Sequence, residues 1–387
     1  SQHKFIITEC ILNGLSIVED IQEPYSNLTV RIIGITDNQE VLITDYVNGQ
    51  HQIINTITED GIYTIEDRHH FIGFGCNFVG TCNITIEQLP TSILKDLSGN
   101  GNHAYLYGGK GKLNSGMGVY QQDFSKLIIS RVDKKQDSFS FTVSGSGGSY
   151  LAYMQLGNWN NKAFKILANI NAKGDYLYLR FRNSTDAVIT SVMLKNGENI
   201  IPAQNIEGAT KAAFEYSLKE GGTITITQIP DYPDQLCYDG KMYAVCYGFP
   251  ILTDYTVMAE RTWFEKEEYS AFISNSLGGM EDPSNGAFSV ELKSLNSFTT
   301  ISFGSITSIG IPEKGITYQT KQSYNGNSIN VGTKESNDIL ILGGRYFYKN
   351  DNAAGNTWTG CHGAIIVADR SFTEEEINWL KDNLFRK

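Results

Sequence analysis

Gly222-Thr223-Ile224-Thr225-Ile226-Thr227-Gln228-Ile229-Pro230 alternates polar and apolar residues with a period of two. In a strand, successive side chains point to opposite faces, so this run buries its isoleucines and wets its threonines. The same alternation returns at 28–33, 52–57, 256–263 and 289–292. Asn-Gly at 48–49, 196–197 and 325–326, and Asp-Gly at 60–61 and 239–240, supply the positive φ of tight hairpin turns. Many short strands at this spacing predict sandwiches or barrels rather than a parallel α/β sheet. The expected fold class is all-β.

The run has an echo. Cys82-Asn83-Ile84-Thr85-Ile86-Glu87-Gln88-Leu89-Pro90 parallels it, and Leu28-Thr29-Val30-Arg31 parallels Leu177-Tyr178-Leu179-Arg180. Thr36-Asp37 then matches Thr185-Asp186, and Asn48-Gly49 matches Asn196-Gly197 after one residue of slip. Matches in the same order predict a duplicated β-sandwich module of about 90 residues, the size of an Ig-like domain. The modules would span 1–90 and 136–230. One helix is expected, at the C-terminal end. Thr373 followed by Glu374, Glu375 and Glu376 reads as a capping box, with three carboxylates at the positive end of the helix dipole. Ile377, Leu380 and Leu384 would form its apolar stripe, with Lys381, Arg386 and Lys387 toward its end.

Composition narrows the function classes. The 387 residues are 41% hydrophobic and 19% charged, ample for buried cores, with a formal net charge of −11. Affinity for phosphate backbones comes from clustered Lys and Arg, which this chain does not offer, so nucleic acid and anionic membranes are not expected partners. No run approaches the roughly 20 apolar residues needed to cross a bilayer, so membrane insertion is not expected. The segment Ser1-Gln2-His3-Lys4-Phe5 has neither a basic leader nor an apolar run, so no signal peptide is expected there. Ser1 fits both initiator-Met removal and a chain cut from something longer. The six cysteines lack zinc spacing. Cys76 and Cys82 are close enough to bridge across a hairpin, Cys237 and Cys246 flank a turn, and Cys10 and Cys361 have no evident partner. Buried free thiols are the expectation.

Two end motifs resemble a known family. Lys95-Asp96-Leu97-Ser98-Gly99-Asn100-Gly101-Asn102-His103-Ala104-Tyr105-Leu106 looks like the opening strand of LamG-like, concanavalin-A-type jelly rolls. Residues 358–377, running from Trp358 through Asp369-Arg370 to the helix start, resemble that family's last strand, its Asp-Arg turn and its closing helix. Residues 249–259 sit where its first long core strand would fall. The resemblance implies a discontinuous jelly roll. Residues 91–135 would carry its opening strands and a connector, 136–230 the inserted second sandwich, and 231–387 the rest of the jelly roll. The layout, including residues 243–254, also resembles virion and surface proteins of gut Bacteroidetes and their phages.

No catalytic residues are expected. Jelly-roll glycosidases carry Glu-x-Asp-x-x-Glu on one strand, and that spacing is absent. Glu265-Lys266-Glu267-Glu268 comes nearest, but it follows Trp263-Phe264 and reads as a solvated turn. Glu19-Asp20 and Glu66-Asp67 read as turn surface, and Glu374–Glu376 are explained by capping. His69 and His70 are strand neighbours that point to opposite faces and cannot share a metal. No nucleophile elbow, phosphate loop or dinucleotide fingerprint occurs, and Ser144-Gly145-Ser146-Gly147-Gly148-Ser149 reads as a flexible tip between strands.

Binding is the better expectation. A sugar is held by an aromatic face on its C–H side and by amides or carboxylates on its hydroxyls. Two loops offer that mixture: Trp159 with Asn160, and Tyr346 with Tyr348 and Asn352. Trp263 and Trp358 are expected in the core. Asp96, Asn100 and Asn102 are oxygen donors of the type calcium takes, although a turn bonded to its own backbone explains them equally well. No cofactor and no metal are expected. The expected function is a non-catalytic carbohydrate-recognition or adhesion protein, a phage fibre or receptor-binding virion component. Its partners would be a bacterial surface glycan and other virion proteins or itself, as a homotrimer. The alternatives are a secreted or surface glycan-binding accessory protein of a Bacteroidetes bacterium, and a purely structural virion decoration. The expected location is the virion or the extracellular surface.

Overall fold

The computed structural model describes residues 4–10, 15–17, 28–47, 50–65, 72–90, 92–108, 124–130, 133–137, 139–146, 149–155, 164–172, 176–202, 206–218, 221–264, 267–277, 286–294, 297–310, 314–348 and 353–385. Among them the chain is almost wholly antiparallel β structure with one α-helix, at Glu374–Leu380. It divides into two compact units, Ser1–Gly111 and Lys112–Lys387. None of its described helices is long and apolar enough to cross a membrane.

In the first unit, Lys4–Cys10, Gly80–Gln88, Leu28–Ile33 and Gly61–Ile65 form one sheet in that order. Leu15–Ile17, Ile72–Cys76, Val41–Val47 and Gln50–Ile57 form another. Period-two alternation gives each sheet one apolar face, and the two faces share a core. Val30, Ile32, Ile84 and Ile86 come from the first sheet, and Val41, Ile43 and Phe74 from the second. A disulfide between Cys10 and Cys76 ties the two sheets together. The expected proximity of Cys76 and Cys82 is therefore corrected. Their strands belong to different sheets, so no hairpin brings them together. Cys82 is a free thiol that donates to the Ile7 carbonyl at 3.2 Å.

The second unit begins with two more sheets. Ile128–Ile129, Ser149–Gln155, Lys211–Ser217, Leu177–Arg182 and Val188–Met193 make one, and Asp133–Gln136, Ser140–Gly145, Gly222–Ile229, Phe164–Ala172 and Gly197–Ile201 the other. Ile224 and Ile226 are buried as the alternation requires, around the rings of Phe124, Phe141 and Phe214, whose centroids lie 5.2–5.7 Å apart. The echoed sequences do not occupy matching places. Leu28–Ile33 pairs with Gly80–Gln88, with Ile32 opposite Ile86, whereas Leu177–Arg182 and Gly222–Ile229 lie in different sheets. Alternating Thr and Ile is demanded of any strand with one buried face, so it recurs without a shared topology.

The remainder of this unit is built on Thr256–Trp263, the strand read from sequence at those bounds. It lies between Thr359–Ala368 and Lys314–Thr320 in the order Leu236–Asp239, Thr359–Ala368, Thr256–Trp263, Lys314–Thr320, Ser323–Tyr324, Asn327–Ser328. Asn325 and Gly326 turn the last hairpin with φ of 47° and 82°, as the Asn-Gly signal predicts. A second sheet runs Ser305–Ile309, Ser297–Ser302, Phe288–Ser294, Ala271–Ser274, Ile339–Leu342, Tyr243–Tyr247. Aromatic rings fill the space between them: Trp263 meets Phe298 and Trp358 at 5.3 and 5.5 Å, and Phe272 meets Trp358 at 5.0 Å. Trp263 and Trp358 are thus core residues, as expected.

The helix keeps its capping box: Thr373 Oγ1 accepts from the Glu376 amide at 3.3 Å and Glu376 accepts from the Thr373 amide at 2.8 Å. Its apolar stripe needs one correction. Ile377 is buried against Met258, but Leu384 is 45% exposed and Phe385 takes the buried place. The cause is the wider π-helical winding of Lys381–Phe385, which moves the inward position one residue on.

Candidate functional site

A fixed turn carries the site. After the strand Thr359–Ala368, Asp254 accepts from the Ser371 amide at 2.9 Å and from its hydroxyl at 2.6 Å. Thr256 accepts from the Phe372 amide and donates to the Arg370 carbonyl, both at 2.8 Å. Burial pushes the Asp254 carboxyl up, but the bonds from Ser371 and Tyr255 more than offset it and leave it below the usual range. Backbone at positions 370–372 is thereby pinned to the neighbouring central strand.

From that turn the Arg370 guanidinium lies over the Phe372 ring, 4.6 Å from its centroid. It also forks onto Glu376, with Nη1 at 3.0 Å from Oε2 and Nη2 at 2.6 Å from Oε1. The Arg370 bond, followed by the Thr373 amide, holds the Glu376 carboxyl down at about 2, and Glu376 in turn raises Arg370. One carboxylate therefore closes the helix cap and orients a guanidinium.

Beside this pair opens a cleft of about 360 Å³, lined by Arg370, Phe372, Glu375, Glu376, Trp379 and Leu380. Trp379 is 62% exposed, a large apolar surface left in water. Helical geometry explains its position: two residues from buried Ile377, it sits about 200° round the helix, away from the core. The cleft thus combines an indole with a guanidinium that has N–H donors unused among the described residues, and two carboxylates that accept. That is a mostly apolar wall with a few convergent polar groups, the character of a small-ligand site.

Trp379 was not among the residues singled out from sequence. Its signal was there, as an aromatic off the apolar stripe. Of those singled out, Trp159, Asn160 and Asn352 lie outside the described residues. Tyr346 and Tyr348 alternate in the strand Tyr346–Tyr348, which pairs with Ala353–Gly355 and runs parallel to Ser276–Leu277. Nothing in the described structure brings Tyr346 and Tyr348 to the Trp379 cleft. Asp96 uses both carboxylate oxygens on its own turn, accepting from the Ser98 amide at 2.8 Å and the Asn102 amide at 3.0 Å. The bond from Ser98 is the main reason its carboxyl lies below the usual range. The Asn100 amide donates to Ser98 Oγ at 3.3 Å, and the Asp96 amide donates to His103 Nδ1 at 3.0 Å. Of the charged cluster 265–268, Glu267 and Glu268 are exposed in a turn, while 265–266 lie outside the described residues.

No family model and no curated protein matches the chain. Among solved structures it is similar to the crystal structure of PBSX exported protein XepA, at 10% identity over 58% of this chain and 86% of that one, with a TM-score of 0.19.

Proposed function

We propose that this chain is a non-catalytic carbohydrate-recognition and adhesion protein, and that the Trp379 cleft is where it holds a sugar. The observation that carries the reading is an indole 62% exposed on a helix whose cap fixes a guanidinium–carboxylate pair at the rim of the same cleft. A pyranose has an apolar C–H face for the indole and paired hydroxyls for Arg370, Glu375 and Glu376. Catalysis of glycoside cleavage would ask for a carboxylic acid still protonated near neutral pH, and Glu376 is ionised far below it.

The Cys10–Cys76 disulfide favours an oxidising compartment, hence a virion or an extracellular surface. The motifs at 95–106 and 358–377 support a LamG-like jelly roll, and the paired sheets around the Ile32–Ile86 core and around the Phe124–Phe141–Phe214 core support two sandwich modules of Ig-like size. The layout's resemblance to phage and Bacteroidetes surface proteins supports a receptor-binding virion component. Its partners would then be a bacterial surface glycan and, in a fibre, two further copies of itself.

A glycan microarray with the full chain tests the function. It should show selective binding that Trp379→Ala abolishes. Binding that survives Trp379→Ala but not Trp159→Ala, or not Tyr346→Ala/Tyr348→Ala, would move the site to those loops. No binding at all would remove the function.

A further inference from the structure

A second feature, independent of the sugar reading, lies in the sheet built on Thr256–Trp263. Among the described residues Leu236–Asp239 is the edge strand of that sheet and pairs only with Thr359–Ala368, in antiparallel register. Cys237 stands directly opposite Cys361 in that register. Directly opposed residues of an antiparallel pair have Cα atoms about 4.5–5.5 Å apart, inside the window of about 4.4–6.8 Å that a disulfide spans. Side chains opposite each other project from the same face of the sheet, so the two sulfurs meet. Both residues are buried thiols, and Cys361 Sγ donates to Gln235 Oε1 at 2.9 Å. On its other side Cys361 is in register with Thr262 of the central strand. Sequence gives no sign of this pairing, because the two cysteines stand 124 residues apart in the chain.

We infer that Cys237 and Cys361 form an oxidisable cross-strand dithiol, a modification site at which a small disulfide of the glutathione type staples the edge strand to the sheet. In the first step the Cys237 thiol gives up its proton and its thiolate attacks one sulfur of the small disulfide, forming a mixed disulfide while the other half leaves as a thiolate. In the second, the Cys361 thiolate attacks the Cys237 sulfur of the mixed disulfide and expels the half bound to it. Two protein thiols are oxidised, the small disulfide is reduced to two thiols, and the two protons released end on those products. The side-chain bond with Cys237, and after it burial, raises the Cys361 thiol, so exchange requires opening of the edge strand or takes place as the chain folds. The staple removes the freedom of an edge strand, which has a partner on one side only.

The test uses the full chain, refolded or held for hours in oxidised glutathione, then alkylated, digested and mapped by mass spectrometry. A peptide joining Cys237 to Cys361 is expected, with two of the four free thiols lost to alkylation and the thermal midpoint raised by about 5 °C. Cys237→Ser and Cys361→Ser should each abolish the joined peptide and leave a glutathione adduct on the remaining cysteine. Should either variant fail to fold, the wild-type peptide map decides alone. Four alkylatable thiols after refolding in oxidised glutathione, or a bridge to Cys246 or Cys82 instead, would overturn the inference. Neither result bears on glycan binding.

Discussion

Arg370 forks onto both carboxylate oxygens of Glu376, six residues further along the chain, while the same carboxylate accepts the Thr373 amide that starts the helix. The geometry of the cleft and the start of the helix therefore depend on one side chain. Glu376→Gln should keep a weakened capping box but lose the charged fork. Because the pair is exposed and screened by solvent, the stability cost should be small. Sugar affinity should fall further than stability does, and parallel thermal melts and binding titrations would separate the two. A melting loss without an affinity loss would detach Arg370 from the site.

Thr373→Ala removes the hydroxyl that accepts the Glu376 amide. The expected cost is about 1 kcal/mol, seen as a lower midpoint in denaturant. A larger loss would mean that the helix supports more of the sheet built on Thr256–Trp263 than the packing of Ile377 and Phe385 on Met258 indicates.

His362 is buried and neutral. Its Nδ1 hydrogen goes to the Gly363 carbonyl at 2.8 Å, and Nε2 accepts from the Tyr238 hydroxyl at 3.0 Å. Burial draws its pKa down from 6.5 to about 4, against the Gly363 bond, which raises it. The unfolded chain thus binds this proton more readily than the folded one. Stability is complete above about 6.5 and is lost as pH falls from there toward about 4, by roughly 3 kcal/mol in the limit. Denaturant midpoints measured across that window should slope down toward acid, and His362→Gln should flatten the slope. An unchanged slope in the variant would assign acid sensitivity elsewhere.

Arg261 is buried between Trp263 and Phe272. Its Nε donates to Thr317 Oγ1 at 3.2 Å and its Nη2 to the Tyr324 hydroxyl at 2.8 Å, while Nη1 has no partner among the described residues. A buried charge held by neutral hydroxyls is costly, so Arg261→Met should leave stability unchanged or raise it. Tyr324→Phe takes away one of the few partners and should cost about 1–3 kcal/mol. Equilibrium unfolding of the two variants checks this, and a strong loss in Arg261→Met would show that the guanidinium is compensated.

The period-two runs made the all-β class and strands such as Thr256–Trp263 legible, since alternation is a local property of the chain. Thr373 with Glu376 made the helix start legible for the same reason. What escaped depended on distant pairings. Cys10 finds Cys76 only because two sheets pack face to face, and Cys237 faces Cys361 only because of a strand register, and no local pattern specifies either. The matched Thr/Ile runs at 82–90 and 222–230 misled in the opposite way, offering a shared pattern where the strand neighbours differ. Trp379 is not legible from the helical pattern, because that pattern marks the residues a helix buries, whereas a binding residue is one it leaves in water.

Calorimetric titration of the strongest array glycan into wild type, Trp379→Phe and Trp379→Ala bears most directly on the sugar site. Saturable binding by wild type is expected, reduced modestly in Trp379→Phe and by about tenfold or more in Trp379→Ala, a loss of about 1.4 kcal/mol. Equal affinity in all three proteins would contradict it.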